Sequence, residues 1–310
     1  MKIMFMGTPE ISAICLKSLL DTEHEVCAVV TGEDKPRGRG KVMTPTAVKA
    51  IAIDKGIDCY TPKTLRDDAF MEILKKHEPD MIVVVAFGKI LPKQVIDFPA
   101  LGCINLHVSL LPKYRGAAPM QRAIMEGERE TGVTVMYMDE GLDTGDIVEM
   151  LKFPIEDDDD FEAIHDRSAA LGSKLLAEAI DKIARGEAKR IKQDSSLATY
   201  AKKVEKEDCK LDFTLPAKKL DFIIRGVTPI PGAFAYLGDK MLKINKAKPI
   251  SGKGTPGTVI FLDDKGDGSI VVACGEGALS VSSVIPEGKG KMSAGDFIRG
   301  RKIKLGDILV

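Results

Sequence analysis

The chain has 310 residues, 44% of them hydrophobic and 29% charged, which is ordinary for a globular protein and long enough for two hydrophobic cores. No apolar run approaches the roughly 18 to 20 residues of a membrane span, and the N-terminal MKIMFMGTPE lacks the apolar region of a signal peptide, so we predict a cytoplasmic protein without a membrane segment. Residues 1–200 hold 26 Lys and Arg against 33 Asp and Glu, whereas residues 201–310 hold 19 against 13, which predicts a C-terminal part that either meets a polyanion or merely has a basic solvated surface.

The first 150 residues alternate short apolar runs with amphipathic stretches, and the last run extends to residue 155. The runs typical of strands lie at residues 2–6, 25–31, 80–87, 102–108, 132–139 and 146–155. The stretches typical of helices lie at residues 10–20, 45–55 and 66–77, and a longer helical pattern covers residues 161–184. This alternation predicts an α/β domain with a mostly parallel sheet and an antiparallel edge, in which ligand sites form at the carboxyl ends of the strands.

The C-terminal third has a different pattern. Residues 187–210 are polar and lack sustained periodicity, which indicates a linker. A short helix at residues 216–226 precedes runs typical of strands at residues 233–237, 240–248, 257–262, 269–273 and 278–284. Several short strands at close spacing predict a small β-barrel, for which an OB-like barrel is one candidate.

The stretch GCINLHVSLLPKYRGAAPMQ, residues 102–121, is the most informative for chemistry. On a strand, Asn105 and His107 project from the same face near the carboxyl end. An amide can stabilise a developing oxyanion, and an imidazole can exchange protons near neutral pH. The alternative is a capped strand end with a histidine bonded to the backbone. The proline and glycine residues that follow predict an irregular loop, which favours the chemical interpretation.

A second candidate is DEGLDTGDI, residues 139–147, in which Asp143 sits inside a glycine-flanked turn. A carboxylate there could orient His107 and favour its protonated form. The alternative is an Asx turn, in which the aspartate caps its own backbone. An aspartic protease is excluded because no second Asp-Thr-Gly is present to share a proton.

Other signals are weaker. The loop GEDKPRGRGKVMTP, residues 32–45, is either a solvated loop or an arm that contacts phosphates, and its basic residues are Lys35, Arg37, Arg39 and Lys41. FMGTPE after the first strand lacks the G-x-G-x-x-G of a dinucleotide site. The sequence DDKGDG, residues 263–268, resembles an EF-hand calcium loop, but Lys265 occupies a position where that loop has a calcium ligand. We therefore predict a hairpin turn there. The six cysteines are scattered without metal-ligand spacing, so we predict no metal.

The pair NLHVSLLPKYRGAAP and GLDTGDI resembles the signature of the folate-dependent formyltransferases, and DKPRGRGKVMTP, FGKILP, ATYAKKV and TPIPGAF extend the likeness to the members that formylate methionyl-tRNA. The resemblance implies a Rossmann-like catalytic domain at residues 1–189, a linker at 190–207 and an OB-like tRNA-binding domain at 208–310. It also implies 10-formyltetrahydrofolate as the donor, methionyl initiator tRNA as the acceptor, a role in translation initiation and a bacterial-type cytoplasmic monomer.

Carried onto matching positions, the resemblance implies three sets of site residues. The catalytic set is Asn105, His107 and Asp143. The folate set is Phe87, Gly88, Ile90, Leu91, Ser109, Leu110, Leu111 and Pro112, and the tRNA set is Arg37, Arg39 and Lys41. Two departures from the family pattern are Val108, where a smaller residue or proline is common, and Ile230, where an aromatic residue is often found.

Three other functions remain open on the sequence. A formyltransferase for a sugar nucleotide or a purine precursor would keep the catalytic set without needing the basic loop or the barrel. An RNA-binding module would bind RNA without formyl transfer. A hydrolase would release the formyl group to water without any acceptor.

Overall fold

A computed structural model of the chain describes residues 1–37 and 42–310. Contacts between Cα atoms divide the chain into two compact units, the first formed by residues 1–116, 131–153 and 165–201, and the second by residues 117–130, 154–164 and 202–310. None of the helices in the described ranges is both long and apolar enough to cross a lipid bilayer.

The helices and strands are named in chain order. The α-helices are α1 (Glu10–Leu20), α2 (Ala47–Asp54), α3 (Asp68–His77), α4 (Lys93–Ile96), α5 (Pro119–Glu126), α6 (Phe161–Ala184), α7 (Ala217–Val227) and α8 (Ala294–Arg299). The strands are β1 (Lys2–Gly7), β2 (Glu25–Val30), β3 (Lys35–Arg37), β4 (Val42–Thr44), β5 (Cys59–Tyr60), β6 (Met81–Val85), β7 (Cys103–His107), β8 (Arg115–Gly116), β9 (Glu130–Tyr137), β10 (Ile147–Pro154), β11 (Tyr200–Ala201), β12 (Ala233–Leu237), β13 (Lys240–Ile250), β14 (Val259–Asp263), β15 (Ser269–Ala273), β16 (Ala278–Pro286) and β17 (Met292–Ser293). Two 3₁₀ turns cover Ser195–Leu197 and Glu207–Cys209.

A seven-stranded sheet organises the first unit, in the order β10-β9-β7-β6-β1-β2-β5. The pairs from β5 through β7 are parallel, whereas β9 runs antiparallel to β7. Every residue of β6 is buried, because a parallel sheet is covered on both faces. The predicted Rossmann-like domain with a mostly parallel sheet is therefore confirmed, and the carboxyl ends of the parallel strands β6 and β7 lie side by side at one edge of that sheet.

A second, antiparallel sheet organises the second unit, in the order β12-β13-β16-β15-β14. The C-terminal residues bridge both of its edges, since Leu309 pairs with Leu237 beside β12 and Ile308 pairs with Thr258 beside β14. These bridges close the sheet into a small barrel, as predicted. Residues 263–268 form the hairpin turn between β14 and β15, also as predicted.

Parts of three segments that the sequence predicted as irregular are regular in the structure. The polar segment 187–210 contains β11 and both 3₁₀ turns. Residues 119–121 of the proline- and glycine-rich stretch after His107 belong to α5. The helix begins at Pro119, whose missing N–H would be unpaired at that position in any case, and it buries Met120 and Ile124. The loop after β2 contains β3 and β4, which pair as antiparallel strands. In these segments burial or strand pairing outweighs the local backbone preference. The apolar pattern of the sequence shows neither the burial nor the pairing.

Candidate active site

Strand β7 positions the first two candidate residues. Asn105 and His107 are two residues apart on it and therefore project from the same face. Asn105 lies opposite Val84 of β6 and Met136 of β9, and His107 lies opposite Thr134 of β9. His107 is the last residue of the strand, so both side chains lie toward the carboxyl end, where open α/β sheets bind their ligands.

The His107 ring is 6% exposed, and each of its two nitrogens faces an oxygen atom. Its Nε2 lies 2.9 Å from the carbonyl oxygen of Tyr114, which can only accept, so Nε2 carries a proton. Its Nδ1 lies 3.6 Å from Oδ2 of Asp143. That distance is longer than a hydrogen bond, so a proton on Nδ1 faces the carboxylate while remaining able to reach another acceptor.

Asp143 reaches His107 because the GLDTG turn is folded on itself. Its backbone has φ 53°, in the left-handed region that aspartate tolerates better than most residues, and its Oδ2 accepts a 2.8 Å hydrogen bond from the amide of Gly116. The turn itself is capped by Asp139, whose Oδ1 accepts from the amide of Gly141 (3.0 Å) and from Oγ1 of Thr144 (2.6 Å). The Asx-type capping therefore belongs to Asp139, and the Asp143 carboxylate is directed away from its own turn.

The Asn105 carboxamide differs from these two side chains. Among the described residues, none of the side-chain hydrogen bonds involves it, although the residue is half-buried. A half-buried amide beside an imidazole and a carboxylate offers both a donor and an acceptor to a ligand. This combination can stabilise negative charge on a carbonyl oxygen during acyl transfer.

A thiol near this site is chemically inert. Cys103 begins β7 and is buried, and burial raises the pKa of its thiol to about 12. Because the thiolate is the nucleophile, a thiol with such a pKa does not form a covalent intermediate near neutral pH. Among the described residues no group of three or more His, Cys, Asp and Glu side chains is arranged to hold a metal ion.

The loop Ser109–Pro112, expected to contact folate, is hydrogen-bonded to the side chain of Thr134. Thr134 of β9 donates from Oγ1 to the Ser109 carbonyl (2.6 Å) and accepts from the Leu111 amide (3.3 Å). The Ser109 hydroxyl donates to the Lys113 carbonyl (2.8 Å), and the Leu111–Pro112 peptide bond is cis. Ser109 and Leu111 are buried, whereas Leu110 and Pro112 are half-buried and thus available to a ligand.

The second expected folate segment follows β6. Phe87 and Leu91 are buried in the core on one side of the sheet, while Gly88 is exposed with φ 80°. Ile90 is 84% exposed at the edge where sheet ligands bind. An apolar ligand group would find a partner there.

The residues expected to contact tRNA belong to the loop between β2 and α2. Arg37 ends β3, and its backbone pairs with Val42 of β4. Arg39 and Lys41 lie outside the described residues. Their role stays a prediction.

Sequence reasoning missed Arg115 and Gln193, which support the Asp143 turn. Arg115 is 2% exposed, and its Nε and Nη2 donate to Oε1 of Gln193 at 3.1 and 2.7 Å. The Gln193 amide nitrogen donates in turn to the carbonyls of Asp143 (2.9 Å) and Gly145 (2.8 Å). Gln193 lies in the polar segment predicted as a linker, where no sequence signal distinguishes it from its neighbours.

Comparison with known proteins identifies the family of the chain. The profile of the formyl transferase family matches residues 1–180, and that of the formyl transferase C-terminal domain matches residues 203–302. A methionyl-tRNA formyltransferase of Citrifermentans bemidjiense is 45% identical over 309 residues, covering 100% of this chain and 96% of that protein. The chain belongs to the methionyl-tRNA formyltransferases of the formyl transferase family.

Solved structures of other proteins share the fold of this chain. An N-formyltransferase from Helicobacter canadensis, in complex with folinic acid and dTDP-3-aminofucose, superposes with a TM-score of 0.69 at 18% identity, covering 91% of this chain and 98% of that one. HypX from Aquifex aeolicus in complex with tetrahydrofolic acid superposes with a TM-score of 0.66 at 20% identity over 99% of this chain, which spans about half of HypX. At these identities the likeness establishes the fold alone.

Proposed function

We propose that this enzyme transfers the formyl group of 10-formyltetrahydrofolate to the α-amino group of methionyl initiator tRNA, for translation initiation. The observation that carries the proposal is that Asn105, His107 and the Asp143 carboxylate lie toward the carboxyl end of β7, where the Asn105 carboxamide makes no hydrogen bond to any described residue. The full-length likeness to methionyl-tRNA formyltransferases supports the choice of acceptor.

The donor supplies a formyl group bonded to nitrogen, and the residues at the site fit such a ligand. Ile90 and the half-buried Leu110 provide apolar surface for a ring system. The Asn105 amide provides a polar partner for the formyl oxygen. In this assignment Phe87, Leu91, Ser109 and Leu111 shape the pocket wall from behind, because their side chains are buried.

In the mechanism that we propose, the neutral α-amine of the methionyl ester attacks the formyl carbon. Asn105 and the protonated His107 stabilise the negative charge that develops on the formyl oxygen. The Nδ1–H group of His107 is available for this contact, because its 3.6 Å distance to the Asp143 carboxylate is too long for a hydrogen bond. Asp143 holds the imidazolium by charge and assists the loss of the amine proton. The new C–N bond replaces the bond from the formyl carbon to the folate nitrogen, which takes up a proton as it leaves.

Substrate binding is divided between the two parts of the chain in this proposal. Residues 1–189 carry the chemistry, residues 208–310 bind tRNA through their excess of Lys and Arg, and residues 190–207 connect them. Arg37, Arg39 and Lys41 contact the acceptor arm. We propose further that the protein acts as a monomer in a bacterial cytoplasm, which sedimentation of the purified protein with and without tRNA would test.

The decisive experiment follows labelled formyl from 10-formyltetrahydrofolate to methionyl initiator tRNA, methionyl elongator tRNA and free methionine. The proposal expects selective labelling of the initiator tRNA. On Arg39→Ala, the slope of log binding constant against log salt concentration should become shallower by roughly 0.7 to 0.9 for each phosphate that the protein no longer neutralises. Arg66→Ala, which removes an exposed charge elsewhere, is the matched control and should leave the slope unchanged.

Other outcomes identify the competing functions. Labelling of a sugar nucleotide or a purine precursor amine, without labelling of tRNA, would assign a different acceptor to the same chemistry. Release of tetrahydrofolate without any acceptor would indicate a hydrolase. RNA binding with no turnover of folate would leave only a binding module.

A further inference from the structure

The segment of residues 191–201, called the strap below, lies between the two family profiles. It begins with reciprocal backbone hydrogen bonds of 2.8 and 2.9 Å between Ile147 and Ile191. It ends at β11, whose Tyr200 and Ala201 pair in parallel with β8. The strap therefore attaches to both loops that surround the candidate catalytic residues.

One attachment is on the side of β8. The Thr199 carbonyl accepts from the Arg115 amide (2.9 Å), and its Oγ1 accepts from the Tyr114 amide (2.8 Å). The Tyr114 carbonyl in turn accepts from Nε2 of His107, and the adjacent Gly116 amide donates to Asp143. The strap thus fixes the peptide groups that hold both the imidazole and the carboxylate.

The other attachment is Gln193, beneath the Asp143 turn. Its Oε1 accepts two hydrogen bonds from the buried Arg115 guanidinium, and its Nε2 donates to the carbonyls of Asp143 and Gly145. A guanidinium can only donate and a carbonyl can only accept, so this environment permits one orientation of the carboxamide. Arg115 therefore sets the orientation in which the Gln193 carboxamide donates its hydrogen bonds to the turn.

The Asp143 turn depends on these hydrogen bonds, because its solvent-facing side has little packing. Asp143 has a left-handed backbone, and neighbouring Leu142 is 59% exposed. The two hydrogen bonds from Gln193 fix the carbonyl of Asp143 itself and that of Gly145, two residues further along the turn. A displacement of about 1 Å at a catalytic group can reduce the rate on the order of 10²-fold.

We propose that Gln193 is a positioning residue that places the Asp143 carboxylate opposite His107, and that Arg115 orients it for this task. The proposal rests on the function proposed above, because it assigns the role of Asp143 in that reaction. In this proposal Gln193 contributes to the geometry of the active site, although it lies outside both family profiles.

The test compares Gln193→Ala, Gln193→Glu and Ser196→Ala in the full-length enzyme with methionyl-tRNA. Gln193→Ala should reduce kcat on the order of 10²-fold and leave both KM values within about threefold. Gln193→Glu keeps the acceptor for Arg115 but loses the donors to the turn, so it should be at least as slow. Ser196→Ala removes only a local bond to Asp194 in the same strap and should retain wild-type kcat.

A double variant distinguishes positioning from general damage. If Gln193 acts through Asp143, adding Gln193→Ala to Asp143→Asn should slow the enzyme less than about threefold further. Full multiplication of the two losses, wild-type kcat in Gln193→Ala, or normal activity of Gln193→Glu would each overturn the proposal.

A separate measurement keeps this test independent of the acceptor. Amide hydrogen exchange at Gly116, which donates to Asp143, should accelerate at least about tenfold in Gln193→Ala relative to Ser196→Ala. If the wild-type enzyme formylates no tRNA, the function proposed above fails, while faster exchange still supports the positioning role. Equal exchange in the two variants would refute the positioning role whatever the acceptor is.

Discussion

Replacement of Asp143 by asparagine removes one charge from the active site with almost no change in shape. The asparagine Oδ1 can still accept from the Gly116 amide, whose hydrogen bond to Asp143 is 2.8 Å, so the turn keeps its anchor. What disappears is the negative charge 3.6 Å from Nδ1 of His107. At that distance two unit charges interact by roughly 4 to 5 kcal/mol at an effective dielectric constant of about 20.

Only part of that energy is expected in the rate, because the Asp143 side chain is 16% exposed and water screens it. We expect Asp143→Asn to reduce kcat by about 10² to 10³-fold, in the range observed when one oxyanion-stabilising group is removed. The unfolding midpoint should stay within about 2 °C of wild type, since the fold keeps the same hydrogen bond.

The assay is single-turnover formyl transfer to methionyl-tRNA, which separates chemistry from product release. Asp146→Asn is the matched control, because it removes a carboxylate from the same loop whose side chain makes no hydrogen bond or ion pair to any described residue. A rate for Asp143→Asn within about threefold of wild type would refute the assignment of Asp143. A large loss in Asp146→Asn as well would show that the loop responds to charge in general.

Two further predictions concern the turn and the stability of the second unit. Gly145→Ala should reduce turnover on the order of 10²-fold and lower the unfolding midpoint, because a Cβ there would lie 1.9 Å from the Tyr137 carbonyl oxygen. The control is Gly290→Ala, where a Cβ meets nothing within 4 Å, and it should be neutral in the same assays. The 2.6 Å hydrogen bond from Arg122 lowers the pKa of Asp208 in the folded protein. The Asp208 carboxylate therefore stabilises the fold above its unfolded pKa of about 3.9, and this stabilisation is lost as the pH falls through the lower folded pKa. In urea unfolding, Asp208→Asn should therefore cost about 1 kcal/mol at pH 7 and progressively less below pH 4, and a cost independent of pH would contradict the ion-pair interpretation.

The secondary structure near the site could be predicted because it depends on local patterns. The apolar run at residues 80–87 gives β6, and the run at 102–108 gives β7, each within two residues of its bounds. The period of two along a strand places Asn105 and His107 on one face whatever the rest of the chain does. The Rossmann-like and barrel parts follow from the same kind of pattern, read over longer segments.

The fine geometry of the site could not be predicted, because its partners are distant in sequence. Gly116 and Asp143 are 27 positions apart, Gln193 and Asp143 are 50 apart, and Arg115 and Gln193 are 78 apart. A polar residue such as Gln193 has the same local signature on a solvated linker as on a strap. Only the fold decides which of these it is.

The sequence by itself therefore determined the main strands and helices, the shared face of Asn105 and His107, and the family to which the chain is similar. The tertiary structure decided that the Asp143 carboxylate leaves its own turn for the Gly116 amide, that Thr134 fixes the loop after His107, and that Gln193 holds the Asp143 turn. The physical reason is that burial follows local periodicity, whereas a hydrogen bond between distant segments depends on sheet register and loop closure, which arise only when the whole chain has packed.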